Sequence, residues 1–86
     1  MSREENERRL KEAIARESRI FVVKDLESVQ EADRLREDVG LDSVGLLYLV
    51  LAVEEAFELT VDDAEEVAEH FQTWGDLLSF IEAQVA

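Results

Sequence analysis

Few side chains in this sequence could take part in covalent or acid–base chemistry, and the most suggestive of them is a serine. The 86 residues include one histidine, His70, and no cysteine. That leaves little for a catalytic base or a zinc site, and nothing for a thiolate nucleophile. Ser43 follows Asp42 at the head of a long apolar run, and no Gly-x-Ser-x-Gly segment surrounds it. A serine hydrolase is therefore excluded, and we expect neither catalytic residues nor metal ligands.

A serine or an aspartate before an apolar helix also has a purely structural explanation. Both are N-cap residue types, and a cap stabilises a helix by about 0.5–2 kcal/mol. Without the residues around it, Ser43 is best interpreted as a plain helix cap. Any functional role for Ser43 must therefore rest on its neighbours.

The charge of the chain is strongly acidic and unevenly distributed. Lys and Arg number 9 against 22 Asp and Glu, the net charge is -13, and no Lys or Arg follows Arg36. This balance excludes a simple nucleic-acid binder, which needs cations to neutralise phosphates. Two interpretations stay open: an acidic surface that keeps the protein in solution, or one that attracts basic partners.

Length and composition predict one small, mostly helical domain over residues 1–86. The absence of proline and the presence of only three glycines argue against an all-β fold, and 47% apolar residues are too many for a disordered acidic chain. The longest apolar run, residues 46–53, is too short to span a membrane. The charged N-terminal segment does not look like a secretory signal. We expect a cytoplasmic monomer that binds neither nucleic acid nor membrane.

Four helices are predicted, over about residues 3–19, 43–57, 62–70 and 74–85. Ser2 with Glu5, and Thr73 with Asp76, form capping boxes at the starts of the first and last helices. The second helix is apolar nearly all round, so part of it should be exposed in so short a chain. Residues 20–23 could end the first helix or form a brief extended segment.

The connection between the first two helices is long, and a long connection in a small domain usually has a function. Gly40 supplies the backbone freedom expected at a turn before a helix. Spaced apolar residues should anchor this connection to the core, and we also assign Phe21 to the apolar stripe of the first helix. The expected anchors are Leu26, Val29, Ala32 and Leu35.

The most informative stretch is Leu35-Arg-Glu-Asp-Val-Gly-Leu-Asp-Ser-Val44, which immediately precedes the apolar helix. It resembles the phosphopantetheine attachment site of the acyl carrier proteins, whose usual pattern is Phe/Leu-x-x-Asp-Leu-Gly-x-Asp-Ser-Leu. The resemblance continues through the apolar helix to Glu54, Glu55 and Phe57, and more loosely to the C-terminus. Residues 1–34 match only in forming a helix and a long loop.

The resemblance implies a four-helix bundle with three longer helices, a short third helix and a long loop between helices 1 and 2. It implies that Ser43 carries 4′-phosphopantetheine, taken from coenzyme A by a phosphopantetheinyl transferase. Asp42 would cap the helix and help to dock the transferase, and Gly40 would shape the loop. The protein would hold acyl groups as thioesters on the thiol of this arm and catalyse nothing itself.

The resemblance also indicates where partners and the acyl chain would bind. Acyl-transferring and acyl-activating enzymes with basic docking surfaces would contact Asp42, Val44, Leu46, Tyr48, Glu54 and Glu55. The acyl chain would lie in a groove lined by Leu47, Leu51, Phe57 and Phe71.

Two departures from the family pattern affect the expected docking surface. Acyl carriers often place acidic residues two and five positions after the serine, where this chain has Gly45 and Tyr48. We therefore expect partners to meet an apolar patch around Leu46 and Tyr48 with an acidic rim, unless Tyr48 packs on the long loop instead. The departures favour a specialised carrier over a housekeeping fatty-acid role.

The remaining alternatives are an aminoacyl or peptidyl carrier and an acidic helical interaction module without a prosthetic group. The Gly-Leu-Asp-Ser segment is closer to the acyl branch than the Gly-Gly-x-Ser form common in peptidyl carriers. In the interaction module, Ser43 would be only a cap.

Overall fold

The structure is a computed structural model that describes residues 2–61, 67 and 70–85. Three α-helices lie in these ranges: α1 (Arg3–Arg16), α2 (Ser43–Phe57) and α3 (Trp74–Val85), with a 3-10 turn at Leu26–Ser28. The predicted helix over 62–70 lies mostly outside the described residues, although Val67 and His70 are helical. Within the described ranges there is no β-strand, only an isolated bridge between Arg34 and Thr73. The all-α prediction is confirmed.

Helix α1 begins as predicted and ends three residues early. Ser2 is its N-cap, and the Ser2 hydroxyl accepts a hydrogen bond from the Glu5 N–H at 3.1 Å. The prediction that this helix reaches residue 19 is wrong. The Glu17 carboxylate accepts hydrogen bonds from the Arg19 backbone N–H at 3.0 Å and from its guanidinium at 2.7 Å. These local bonds offer the backbone an alternative to the helix.

The segment after α1 is extended rather than helical. Ile20 is buried and Val22 is partly buried, while Phe21 and Val23 are each 81% exposed. Neighbouring side chains of an extended chain point to opposite faces, so Phe21 cannot join the apolar stripe to which the sequence assigned it. That assignment is wrong.

Helix α2 has the predicted bounds and a buried face that repeats every four residues. Gly45, Leu49, Val53 and Phe57 are buried, as expected for one face of an α-helix. The rest of its apolar surface is only partly covered, and Val44, Leu47 and Leu51 are 47–58% exposed. The prediction that part of this helix is exposed is confirmed.

The long connection caps the start of α3. The carbonyl groups of Asp33 and Glu31 accept hydrogen bonds from the N–H groups of Trp74 and Gly75, both at 2.9 Å. The Thr73 hydroxyl accepts from the Asp76 N–H at 3.0 Å, which confirms the predicted capping box. Backbone donors that a helix start leaves unpaired are thus satisfied by residues about forty positions earlier in the chain.

The core lies between the three helices and takes in the inner face of the connection. Trp74 is fully buried, and its indole N–H donates to the Glu7 carboxylate at 2.7 Å. Of the predicted anchors, Val29 and Leu35 are buried and Leu26 is partly buried. Ala32 is exposed, so its prediction as an anchor is wrong; it lies between Glu31 and Asp33, whose carbonyl groups make the bonds to the start of α3. None of the helices among the described residues is long and apolar enough to cross a membrane.

Truncating Asn6 to alanine should be neutral or stabilising, by up to about 1 kcal/mol. Asn6 is fully buried in α1, and its side-chain amide has no hydrogen-bond partner among the described residues. An unsatisfied buried polar group costs about 1–3 kcal/mol, and Ala also has the higher helix propensity. Urea unfolding of Asn6→Ala measures the effect.

The matched control is Leu10→Ala, one turn further along the same buried face of α1. This truncation should destabilise by about 2–5 kcal/mol because it opens a cavity in an apolar site. Equal losses in the two variants would mean that the Asn6 amide is satisfied and stabilises the fold.

Candidate functional site

Ser43 is the first residue of α2, and its side chain is exposed. The cap of this helix is Asp42, whose Oδ1 accepts a hydrogen bond from the Gly45 N–H at 2.7 Å. The interpretation of Ser43 as the helix cap is therefore wrong. Its hydroxyl instead accepts a hydrogen bond from the Arg36 guanidinium at 3.2 Å. The first N–H groups of a helix, here those of Ser43 and Val44, have no intrahelical acceptor.

The segment before Asp42 is a compact turn held by its own backbone. The Asp38 carboxylate accepts a hydrogen bond from the Arg34 N–H at 2.8 Å. The Arg34 carbonyl accepts from the N–H groups of Asp38 and Val39, at 2.9 and 3.0 Å. The aspartate of the Asp-Val-Gly motif thus has a structural role, which is to close this turn.

Gly40 connects the turn to the helix start in a conformation that other residues rarely adopt. Its φ is +92°, and a β-carbon built at this position would lie 2.7 Å from Cγ2 of Val23. Val23 is held there by a hydrogen bond from its N–H to the Val39 carbonyl at 2.8 Å. Both the backbone angle and the close approach of Val23 therefore require glycine.

A groove of about 780 Å³ opens beside Ser43. Its walls are mostly apolar and come from α2 and from the region before α3, and charged residues stand at one edge. Among the described residues the lining comprises Arg34, Arg36, Glu37, Ser43, Leu46, Leu47, Val50, Val67, Phe71 and Gln72.

The groove contains some of the residues that the sequence suggested for an acyl pocket. Leu47 and Phe71 line it. Leu51 does not line it, and lies exposed elsewhere on α2. Phe57 does not either, because it is buried in the core with the Arg9 guanidinium 4.7 Å above its ring.

Sequence reasoning missed Leu46, Val50 and Val67 as lining residues. The signal for the first two was present, because Leu46, Leu47 and Val50 follow Ser43 at spacings of three, four and seven. On a helix these positions share one face. No comparable pattern indicated Val67, which comes from a separate segment.

Some of the predicted docking residues are exposed, and others make contacts within the protein. Val44 and Glu55 are exposed, whereas Leu46 is half-buried in the groove. Glu54 is half-buried, and its carboxylate accepts a hydrogen bond from the Val61 N–H at 2.8 Å. Glu54 therefore helps to hold the chain after α2.

Tyr48 packs against the connection between α1 and α2, which was the alternative to an exposed docking role. The Arg19 guanidinium lies 4.3 Å from the centre of its ring. The hydrogen bond from the Arg19 side chain, together with that from its backbone N–H, lowers the pKa of Glu17 to about 2. The exposed apolar surface on α2 is thus centred on Val44, Leu47 and Leu51, and not on Leu46 and Tyr48.

The described residues provide no metal centre. They contain no group of three or more His, Asp or Glu side chains placed to hold an ion. His70 stacks on Phe80 with 5.0 Å between ring centres. The acidic residues Asp62, Asp63, Glu65, Glu66 and Glu69 lie outside the described residues.

This arrangement fits a class of protein that carries a group on a serine. An exposed hydroxyl stands at a helix start, an Arg donates to it, and an apolar groove adjoins it. A phosphate on that hydroxyl would meet favourable charge from the guanidinium and the helix end. The groove would accept an apolar chain, so the residues present fit a phosphopantetheine arm.

Comparison with known proteins identifies the family. The family model described as "Phosphopantetheine attachment site" matches residues 8–81. A protein of Caulobacter vibrioides named "Acyl carrier protein" is 40% identical over 62 residues, which cover 72% of this chain and 77% of that protein. The chain belongs to the phosphopantetheine-binding acyl carrier family.

Other relatives agree over shorter stretches. The "Acyl carrier protein" of Exiguobacterium sibiricum is 42% identical over 50 residues, 58% of this chain and 61% of that protein. That of Wolinella succinogenes is 41% identical over 56 residues, 65% of this chain and 71% of that protein. The match spans less than two thirds of the Exiguobacterium protein.

Family membership confirms three predictions made from the sequence. The chain is a carrier rather than an enzyme, and its prosthetic group is 4′-phosphopantetheine. Proteins of this family work with phosphopantetheinyl transferases and with enzymes that handle acyl groups. The acidic interaction module without a prosthetic group is thereby set aside.

Substituting Gly40 by alanine should destabilise the protein by at least about 1–2 kcal/mol. That is the usual cost of a left-handed conformation for a residue with a β-carbon, and the contact with Val23 adds to it. Urea unfolding measures the loss.

The double variant Gly40→Ala/Val23→Ala separates the two causes, with Val23→Ala alone as the control. In the double variant, removing the Val23 methyl groups should recover the free energy lost to the steric contact. The cost of the left-handed backbone conformation should remain. If Gly40→Ala costs the same stability with Ala at position 23 as with Val23, then Val23 adds nothing to the requirement for glycine.

Proposed function

We propose that this protein is a discrete acyl carrier whose 4′-phosphopantetheine is attached to Oγ of Ser43. One observation carries the assignment: Asp42 caps α2, so the exposed Ser43 hydroxyl is not needed to cap the helix. The sequence motif, the groove beside Ser43 and the family all support the same residue.

The attachment step uses coenzyme A and a phosphopantetheinyl transferase. A new P–O bond forms to Ser43 Oγ, and the P–O–P link of coenzyme A breaks. The serine proton passes to a base of the transferase, and adenosine 3′,5′-bisphosphate leaves. Once attached, the arm supplies a thiol that holds acyl groups as thioesters, so the protein needs no cysteine.

The groove beside Ser43 is the proposed site of the acyl chain. Leu46, Leu47, Val50 and Phe71 supply apolar surface within it, and burial of a chain there gains about 25 cal/mol per Å² of apolar area. Leu51 and Phe57 are withdrawn from this role because neither lines the groove.

Partners are proposed to dock on the exposed face of α2 near the serine. Val44, Leu47 and Leu51 form an apolar patch, and Glu55 and Asp42 supply exposed acidic groups on the same helix or at its start. Basic residues on the transferase and on acyl-handling enzymes complement these charges. Leu46 lines the groove instead, Tyr48 packs under Arg19, and Glu54 holds the chain after α2.

A specialised acyl pathway, polyketide or other, is favoured over a housekeeping fatty-acid role. Gly45 is buried against Leu41 and the Asp42 cap, so no acidic docking side chain projects there. Tyr48 lies beneath Arg19 at the other position where acyl carriers often have an acid. The aminoacyl or peptidyl variant has no observation in its favour. A single domain over 1–86, a monomeric state and a cytoplasmic location remain predictions.

The decisive experiment is intact mass spectrometry after incubation with coenzyme A, Mg²⁺ and a broad-specificity phosphopantetheinyl transferase. We expect the protein to gain the mass of one phosphopantetheine group. Ser43→Ala should gain nothing. Ser28→Ala, which removes another exposed hydroxyl, should be modified like the original protein.

Two results would contradict the assignment. Modification of Ser43→Ala would place the group on another residue. No modification of the folded protein, with a transferase that modifies a second carrier in the same reaction, would remove the support for Ser43.

Reversing the charge of Glu55 should weaken recognition by a basic transferase. Glu55→Lys should raise the KM for this protein by about two- to tenfold with little change in kcat, because rim charges act mainly on encounter. The effect should shrink as salt is added. Steady-state kinetics of the modification measure both.

Glu27→Lys is the matched control, since Glu27 is equally acidic and exposed but lies in the connection. Equal increases in KM for the two variants would mean that net charge, and not a surface on α2, governs docking.

A further inference from the structure

Arg36 is an exposed cation placed directly beside the proposed attachment site. Its guanidinium Nη2 lies 3.2 Å from Ser43 Oγ and donates a hydrogen bond to it. Arg36 also lines the groove that opens at Ser43. The sequence motif gives this residue no role, because the position falls within its variable part.

Arg36 differs from other arginines of this protein in its surroundings. Arg34 pairs with Glu37 at 2.6 Å, and Arg19 pairs with Glu17 at 2.7 Å. Arg36 makes no salt bridge with any residue that the structure describes, although acidic residues outnumber basic ones by 22 to 9. A guanidinium with five donors and only a neutral hydroxyl to receive them has unused capacity for an anion.

The prosthetic group would bring an anion to this place. The phosphorus of the phosphodiester would be bonded to Ser43 Oγ itself, so its charged oxygens would lie two bonds beyond the atom that Arg36 already contacts. Arginine binds phosphate through short, charge-assisted and often bidentate hydrogen bonds. The unpaired N–H groups at the start of α2 favour the same negative charge.

We infer that Arg36 is a positioning residue that binds the phosphodiester of the arm and holds it at the mouth of the groove. This inference rests on the proposed attachment to Ser43. Because Arg36 and Leu46 line the same groove, anchoring the phosphate there favours entry of the arm and its acyl group into the groove. The bond also neutralises the cation that unmodified protein presents at the serine.

The test compares the phosphopantetheinylated forms of the original protein, Arg36→Gln, Arg36→Lys and Arg16→Gln by phosphorus NMR. Arg16→Gln is the matched control, because Arg16 is an exposed arginine on α1 that lies beside Ala52 and Glu55, toward the far end of α2. We expect Arg36→Gln to shift the phosphodiester resonance, Arg36→Lys to restore part of that shift, and Arg16→Gln to leave the resonance unchanged. Added salt should move the original protein toward Arg36→Gln.

A second measurement keeps the inference testable if a variant does not fold. In the original protein, the Nε–Hε resonance of Arg36 should shift, and its hydrogen exchange should slow, when the unmodified form is converted to the phosphopantetheinylated form. The corresponding signal of Arg16 should not change.

The possible outcomes separate the inference from the proposed function. If mass spectrometry finds no group on Ser43, the attachment site and the role of Arg36 fall together. If Ser43 is modified but Arg36→Gln and Arg16→Gln give the same phosphorus resonance, only the role of Arg36 is overturned. If the Arg36 side-chain resonance does not change when Ser43 is modified, the role of Arg36 is overturned as well.

Discussion

The structure depends on how the long connection between α1 and α2 is fastened. At one point its carbonyl groups cap the start of α3, through Glu31 and Asp33. A few residues later, Gly40 turns in a left-handed conformation with Val23 packed where a side chain would begin. These two attachments define where α2 begins, and with it the position of Asp42 and Ser43. The connection therefore acts as the framework of the site rather than as a link between helices.

Helix capping and the proposed attachment of the arm fall to two adjacent residues. Asp42 caps the helix by accepting a hydrogen bond from the Gly45 N–H. Gly45 is buried against this cap and Leu41, so its position has no room for an acidic side chain. Ser43 is then free of any structural task. As a result, the position two residues after the serine packs inward, and the exposed apolar surface of α2 consists of Val44, Leu47 and Leu51, which is the docking face proposed above.

The charge beside Ser43 is opposite in sign to the net charge of the chain. A net charge of -13 suggests an acidic surface throughout, yet the side chain in contact with Ser43 is an arginine. The acids closest to Ser43 in sequence are Asp42 and Asp38, and both are occupied by backbone N–H groups. A phosphate at Ser43 would thus meet donors and a cation.

The sequence by itself determined the all-α class, the bounds of α2 and α3, the capping residues Ser2 and Thr73, and the motif that identifies the family. These features are local: caps, helical periodicity and a ten-residue pattern are written in consecutive residues. Only the tertiary structure decided that Phe21 is exposed, that Phe57 lies in the core, and that Arg36 meets Ser43. Each of these depends on how separate segments of the chain pack against one another, which no local pattern records. The end of α1 at Arg16 is local, but it depends on the bonds between Glu17 and Arg19, which helical periodicity does not reveal.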